Sequence, residues 1–82
     1  MRGLVIAILL AAACSSRAKS RCDAICAREA ECAEETRREF DRAECVEACL
    51  GLERSDRGRS IVDRHAGCVL QAEGCPAVLQ CE

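Results

Sequence analysis

Apolar and polar positions divide the chain into three stretches of different rhythm. Leu4 to Ala13 is an unbroken apolar run (LVIAILLAAA). Between Ser20 and Leu50 the pattern turns helical. At about 100° per residue, Cys22, Ile25, Cys26, Cys32, Ala33 and Phe40 share a stripe about 120° wide, with Asp23, Arg28, Glu31, Glu34, Glu35 and Arg38 outside it. After the polar segment Gly51–Ser60, a second helical face recurs at Ile61, Val62, His65, Cys68, Val69 and Ala72. Ser20 with Asp23, and Ser60 with Asp63, have capping-box-like spacing and mark helix starts. Gly74 is a helix end, and Pro76 suits the first position of a last short turn that runs through Leu79 to Cys81.

The cysteines decide how the middle stretch folds. Two C-x-x-x-C units, Cys22/Cys26 and Cys45/Cys49, are separated by eighteen residues. Residues four apart share a helix face, so each unit presents two thiols in one direction. Pairing Cys22 with Cys49 and Cys26 with Cys45 is symmetric about Glu35–Thr36, the arithmetic of an antiparallel hairpin with two rungs. One continuous helix over 21–50 would instead hold Cys26 and Cys45 about 28 Å apart, beyond any disulfide. The expected hairpin has helices at about 20–34 and 38–50, ended by Gly51. Thr36 with Glu39 offers an N-cap at the turn, and Asp41 with Glu44 competes one turn later. Each rung closes a loop worth roughly 3 kcal/mol in the chain-entropy model.

Composition explains why rungs are needed. The chain has 82 residues with one Phe, no Trp and no Tyr, so its core is small and the domain needs staples. Nine cysteines supply them if the compartment is oxidising. Cys32, Cys68, Cys75 and Cys81 remain outside the hairpin rungs and allow three pairings; the preferred one is Cys32–Cys68 with Cys75–Cys81. In every pairing Cys32 clamps the C-terminal part to the hairpin. The predicted fold class is all-α: a small disulfide-rich twin C-x-x-x-C helical hairpin plus a third helix, preceded by a signal-peptide helix.

The apolar run behind Arg2 spans about 15 Å as a helix, half of a hydrocarbon core, and has the plan of a secretory signal. It ends in Ala11-Ala12-Ala13-Cys14, which resembles the lipobox of bacterial lipoproteins. That resemblance implies a signal peptide over 1–13, a lipid-bearing Cys14 as the first mature residue, and Ser15 permitting transfer to the outer membrane. Residues 14–20 then form the lipidated end and polar tether of a stapled domain at 21–82. Removing Cys14 from an odd count leaves eight cysteines, enough for four disulfides. The membrane is the expected partner through lipid on Cys14, with a protein partner of unknown identity.

Other chemistry is sparse. A net charge of −2 gives no electrostatic case for nucleic acid. The eight acids and three arginines between residues 29 and 47 read as a solvated helix face. His65, the only histidine, precedes Cys68 by three residues and reads as a half-buried helix position before a metal ligand. No C-x-x-C, nucleophile elbow or phosphate loop occurs, so no catalytic residue, metal or cofactor is expected.

From Cys22 to Cys81 the spacing C-x3-C-x5-C-x12-C-x3-C-x18-C-x6-C-x5-C resembles small cysteine-rich predicted lipoproteins of high-GC soil bacteria such as myxobacteria. The likeness implies an exported, disulfide-stapled helical domain and carries no activity. The twin C-x-x-x-C hairpin is also similar to plant α-hairpinins and to small chaperones of the mitochondrial intermembrane space, at Cys22, Cys26, Cys45 and Cys49. The expected function is a non-catalytic lipoprotein of a Gram-negative envelope, on the outer-membrane or periplasmic side. The alternatives are a secreted inhibitor-like or toxin-like hairpin, or a metal-binding protein using His65 and reduced cysteines.

Overall fold

The computed structural model describes the backbone of residues 2–81 and the side chains of residues 16–81. Four helices follow one another: α1 (Arg2–Glu35), α2 (Arg42–Leu52), α3 (Asp56–Gln71) and α4 (Cys75–Leu79). No strand occurs among the described residues. The fold is a small disulfide-rich all-α structure.

Helix α1 is longer than the predicted helix that begins at Ser20. It runs through residues 14–20 without a break, so the expected polar tether is a helical stalk. The reason is local: no Pro or Gly lies between Leu4 and Leu50, and Arg, Ala and Lys are good helix formers. Thirty-four residues at 1.5 Å each give about 51 Å. That accounts for the 52 Å long axis of a molecule only 21 Å and 20 Å across.

The hairpin turn falls near the symmetry point but uses different chemistry from the Thr36 cap. Thr36 closes α1, its hydroxyl donating to the carbonyls of Cys32 (2.9 Å) and Ala33 (3.2 Å). Arg37 then adopts the left-handed region (φ 57°), while Arg37 N–H reaches Glu34 O and Arg38 N–H reaches Ala33 O. This is a Schellman ending with Arg in the place that favours Gly. The competing cap starts α2: the Asp41 carboxylate accepts from Glu44 N–H at 3.1 Å. Because α1 ends at Glu35, Phe40 leaves the predicted stripe and stands 38% exposed.

The polar segment 51–60 is mostly helix. Gly51 lies inside α2, which ends at Leu52. Ser55 then accepts from Gly58 N–H at 3.0 Å and starts α3 at Asp56, one turn before Ser60. The buried face of α3 is Gly58, Val62, Ala66 and Val69, with Ile61 and Cys68 exposed. Val62 and Val69 of the predicted face are buried while Ile61 and Cys68 at its edge are exposed, so the face is rotated toward Gly58 and Ala66. Gly58 sets the phase: a Cβ there would overlap the backbone of Leu52, so only glycine lets α3 pack so close. Gly74 serves as N-cap of α4 and not as the end of α3, whose C-cap is Ala72.

Four disulfides join these elements. Cys22–Cys49 and Cys26–Cys45, with Cα atoms 5.7 Å and 5.9 Å apart, are the two rungs between α1 and α2. The other pairs correct the preferred reading. Cys32 bonds to Cys75 (Cα–Cα 5.2 Å) and Cys68 to Cys81 (5.9 Å), so Cys32–Cys68 and Cys75–Cys81 do not form. The rotated face of α3 turns Cys68 outward, away from Cys32. Cys75 and Cys81 bracket α4, whose rise over six residues is about 9 Å, too far for a direct bridge. Instead the start of α4 is fastened to α1 and the residue beyond its end to α3.

The core is small and rich in sulfur. Among the described residues, five of the eleven buried apolar ones are half-cystines (Cys22, Cys26, Cys32, Cys49 and Cys75), packed with Ile25, Ala33, Val62, Ala66, Val69 and Val78.

The two helical glycines of α3 should respond with opposite sign. Gly58→Ala should destabilise by about 1–3 kcal/mol through overpacking against Leu52. Gly67→Ala, with open space around its Cα, should stabilise by up to about 1 kcal/mol through helix propensity. Chemical denaturation of the oxidised protein checks both. Equal signs would contradict the packing of α3 on α2.

Candidate functional site

A largely apolar groove of about 300 Å³ is bounded by α1, α2 and α3. Its floor is Ile25, Val62 and the rung sulfurs of Cys26, Cys45 and Cys49. One end is capped by Leu52 and Ile61, which stand 40% and 48% exposed. The other holds the Glu29 carboxylate, 3.0 Å from His65 Nε2 across α1 and α3. Antiparallel pairing of α1 with α2 creates this layout. Cys22, Cys26 and Glu29 climb α1 while Cys49 and Cys45 descend α2, so the apolar end lies toward the N-terminus of α1.

The groove offers shape and apolar surface with one polar pair. Cys26 is bonded to Cys45 and Cys49 to Cys22, so none of them provides a thiolate. His65 is engaged by Glu29, and Cys68, three residues along, is bonded to Cys81. Among the described residues, no cluster of three His, Cys, Asp or Glu side chains is arranged to hold a metal ion.

A second cluster lies on the α2–α3 turn, and sequence spacing did not reveal it. Arg21 donates from Nε to Glu53 Oε1 at 3.1 Å, and its terminal nitrogens reach Glu53 and Asp63. The Glu53 side chain is 9% exposed, so this contact joins α1, the end of α2 and α3 in a partly desolvated setting. The hydrogen bond to Glu53 raises the Arg21 pKa above its ordinary value, against an opposing effect of burial. A contribution of this sign is complete below the unfolded-chain value and is lost only at the alkaline extreme. Arg21, Glu53 and Asp63 are 32 and 42 residues apart in sequence, and no local pattern links them.

The predicted lipidation residue, Cys14, and the predicted signal peptide (1–13) lie outside the described side chains. The backbone of residues 2–14 belongs to α1. Among the described residues, no helix is long and apolar enough to cross a membrane. Four disulfides are consistent with an extracellular or periplasmic compartment. No protein-family model, curated protein or solved structure matches the chain.

The Arg21 cluster makes a direct prediction. Arg21→Met keeps the apolar stem but leaves Glu53 buried without its partner, and should cost about 1–3 kcal/mol. In a double-mutant cycle with Glu53→Gln, most of that cost should disappear in the Glu53→Gln background. Additive effects would show that the pair does not couple α1 to α2.

Proposed function

We propose that the protein is a non-catalytic, exported lipoprotein that holds a rigid helical surface at the membrane of a cell envelope. The observation that carries the reading is the uninterrupted α1. It joins a short apolar segment ending in Ala-Ala-Ala-Cys directly to a domain in which α1 is disulfide-bonded to α2 and α4, and α3 to Cys81 just beyond α4. Lipid on Cys14 would supply the membrane attachment, each buried CH₂ contributing about 0.8 kcal/mol. The helical stalk converts a point of attachment into a fixed offset, because a helix cannot fold back as a flexible tether does.

The same arrangement supports a binding role over chemistry. The groove has no free nucleophile, and its His–Glu pair joins two helices. What the domain displays at the end far from the anchor is the acidic α1–α2 turn with exposed Phe40 and, nearby on α4, exposed Leu79. These two side chains line one surface depression together with Val78. We place the protein on the periplasmic side of a Gram-negative outer membrane, with the acidic end facing its partner.

Intact-mass analysis of protein purified from membranes should show a chain beginning at Cys14 with diacyl or triacyl mass and no free thiol. After reduction, eight alkylatable thiols should appear, since Cys14 carries the lipid. An unmodified Cys14 in protein recovered from the culture medium would replace this reading with the secreted hairpin. Eight free thiols before reduction would refute the scaffold itself.

A further inference from the structure

Charge is distributed unevenly along the long axis, and the uneven parts coincide with apolar ones. Between residues 29 and 47, toward the far end, eight acids face three arginines. At the end nearer the apolar run the balance reverses. Arg17 and Lys19 on α1, Arg54 in the α2–α3 turn and Arg57 on α3 make no ion pair among the described residues. The acids of that end are occupied: Glu53 and Asp63 by Arg21, and Asp56 by Arg59, leaving Asp23 alone. Arg17 flanks Glu53 in a shallow cleft with Arg21, so its charge lies beside the α2–α3 turn.

Beside this turn two large aliphatic side chains are exposed, Leu52 at the end of α2 and Ile61 on α3. Ile61 lies one helical turn from Arg57, and Leu52 lies two residues before Arg54. Apolar side chains framed by unpaired arginines are the composition of a surface that meets lipid headgroups. The Arg21 contacts fix its height. They hold the turn level with Arg21, about 10 Å along α1 from Cys14 at 1.5 Å per residue. That is about one screening length at physiological salt.

Resting on the anchoring reading above, we propose that the α2–α3 turn is a second membrane contact. Leu52 and Ile61 enter the headgroup boundary of an anionic phospholipid surface, with Arg17, Arg54 and Arg57 against its phosphates. Tilting α1 about its lipid-bearing end brings the turn down. The acidic far end is repelled by the same surface, so the two ends select one orientation. The occupant is lipid because the patch lies about 10 Å along α1 from the lipid-bearing Cys14 and has the sign that anionic headgroups need.

The absence of native Trp makes the test clean. The full oxidised chain carrying Leu52→Trp is bound to phosphatidylglycerol vesicles with brominated acyl chains. The emission should be lost there, and recover both in brominated phosphatidylcholine and on adding Arg54→Glu with Arg57→Glu, while the protein still sediments with vesicles. Ile61→Trp should repeat the result, and Phe40→Trp at the far end should keep its emission. Sedimentation without loss at Leu52→Trp or Ile61→Trp would overturn the second contact and leave the anchor standing. Loss that ignores lipid charge, or loss equal at Phe40→Trp, would overturn it as well. A concentration-dependent blue shift without vesicles would assign the patch to a second copy of the chain. Failure to sediment would overturn both the contact and the anchor.

Discussion

Covalent closure of the α1–α2 hairpin is the constraint on which the other contacts depend. A connection of six residues, with Arg37 in a left-handed conformation that disfavours it, gives the two helices little local reason to fold back. The Cys22–Cys49 and Cys26–Cys45 rungs supply that reason by removing extended conformations from the unfolded chain. Once closed, the rungs form the floor on which α3 lies. Cys32–Cys75 then ties α4 to the end of α1 across the longest loop, 43 residues, and Cys68–Cys81 ties it to α3. Packing and cross-linking are the same atoms here, because half-cystines occupy much of the buried volume. Val69 is the largest fully buried side chain. An apolar interior of that size offsets little of the conformational entropy of some sixty residues by itself.

The legible parts of the fold are those written in covalent arithmetic. The symmetry of two C-x-x-x-C units predicts a hairpin, its two pairs and the place of its turn without reference to any other contact. Helix phase was harder to read where small residues do the packing. Ile61 is a stronger hydrophobic signal than Ala66 or Gly58, so periodicity puts Ile61 and Cys68 with Val62 and Val69 on the buried face of α3. Close approach to Leu52 selects the Gly58–Val62–Ala66–Val69 face instead, and Cys68 turns outward with it. Spacing does not decide among the three pairings of Cys32, Cys68, Cys75 and Cys81, and the fold selects Cys32–Cys75 with Cys68–Cys81. Ser55 went unread as a cap because the residue three positions on is Gly58, without the carboxylate that completes a capping box.

The candidate site was less visible because it is built across helices. Neither Arg21–Glu53–Asp63 nor Glu29–His65 joins residues closer than 32 positions in sequence. A formal charge of −2 conceals an acidic far end and a basic near end. Only the fold, by returning Arg54 and Arg57 to the level of Arg17 and Lys19, reveals the separation. A continuous stalk, a basic apolar turn beside it and an acidic tip beyond together describe a molecule with a defined top and bottom. That polarity suits the proposed role of positioning a surface.

Calorimetry of the full chain before and after complete reduction and alkylation tests the central claim most directly. If cross-links hold the fold, the oxidised protein gives one cooperative endotherm and the alkylated protein gives none. Residual helix in the alkylated protein should then melt gradually. A cooperative endotherm surviving reduction at a similar midpoint would show that the small core folds the chain without its rungs.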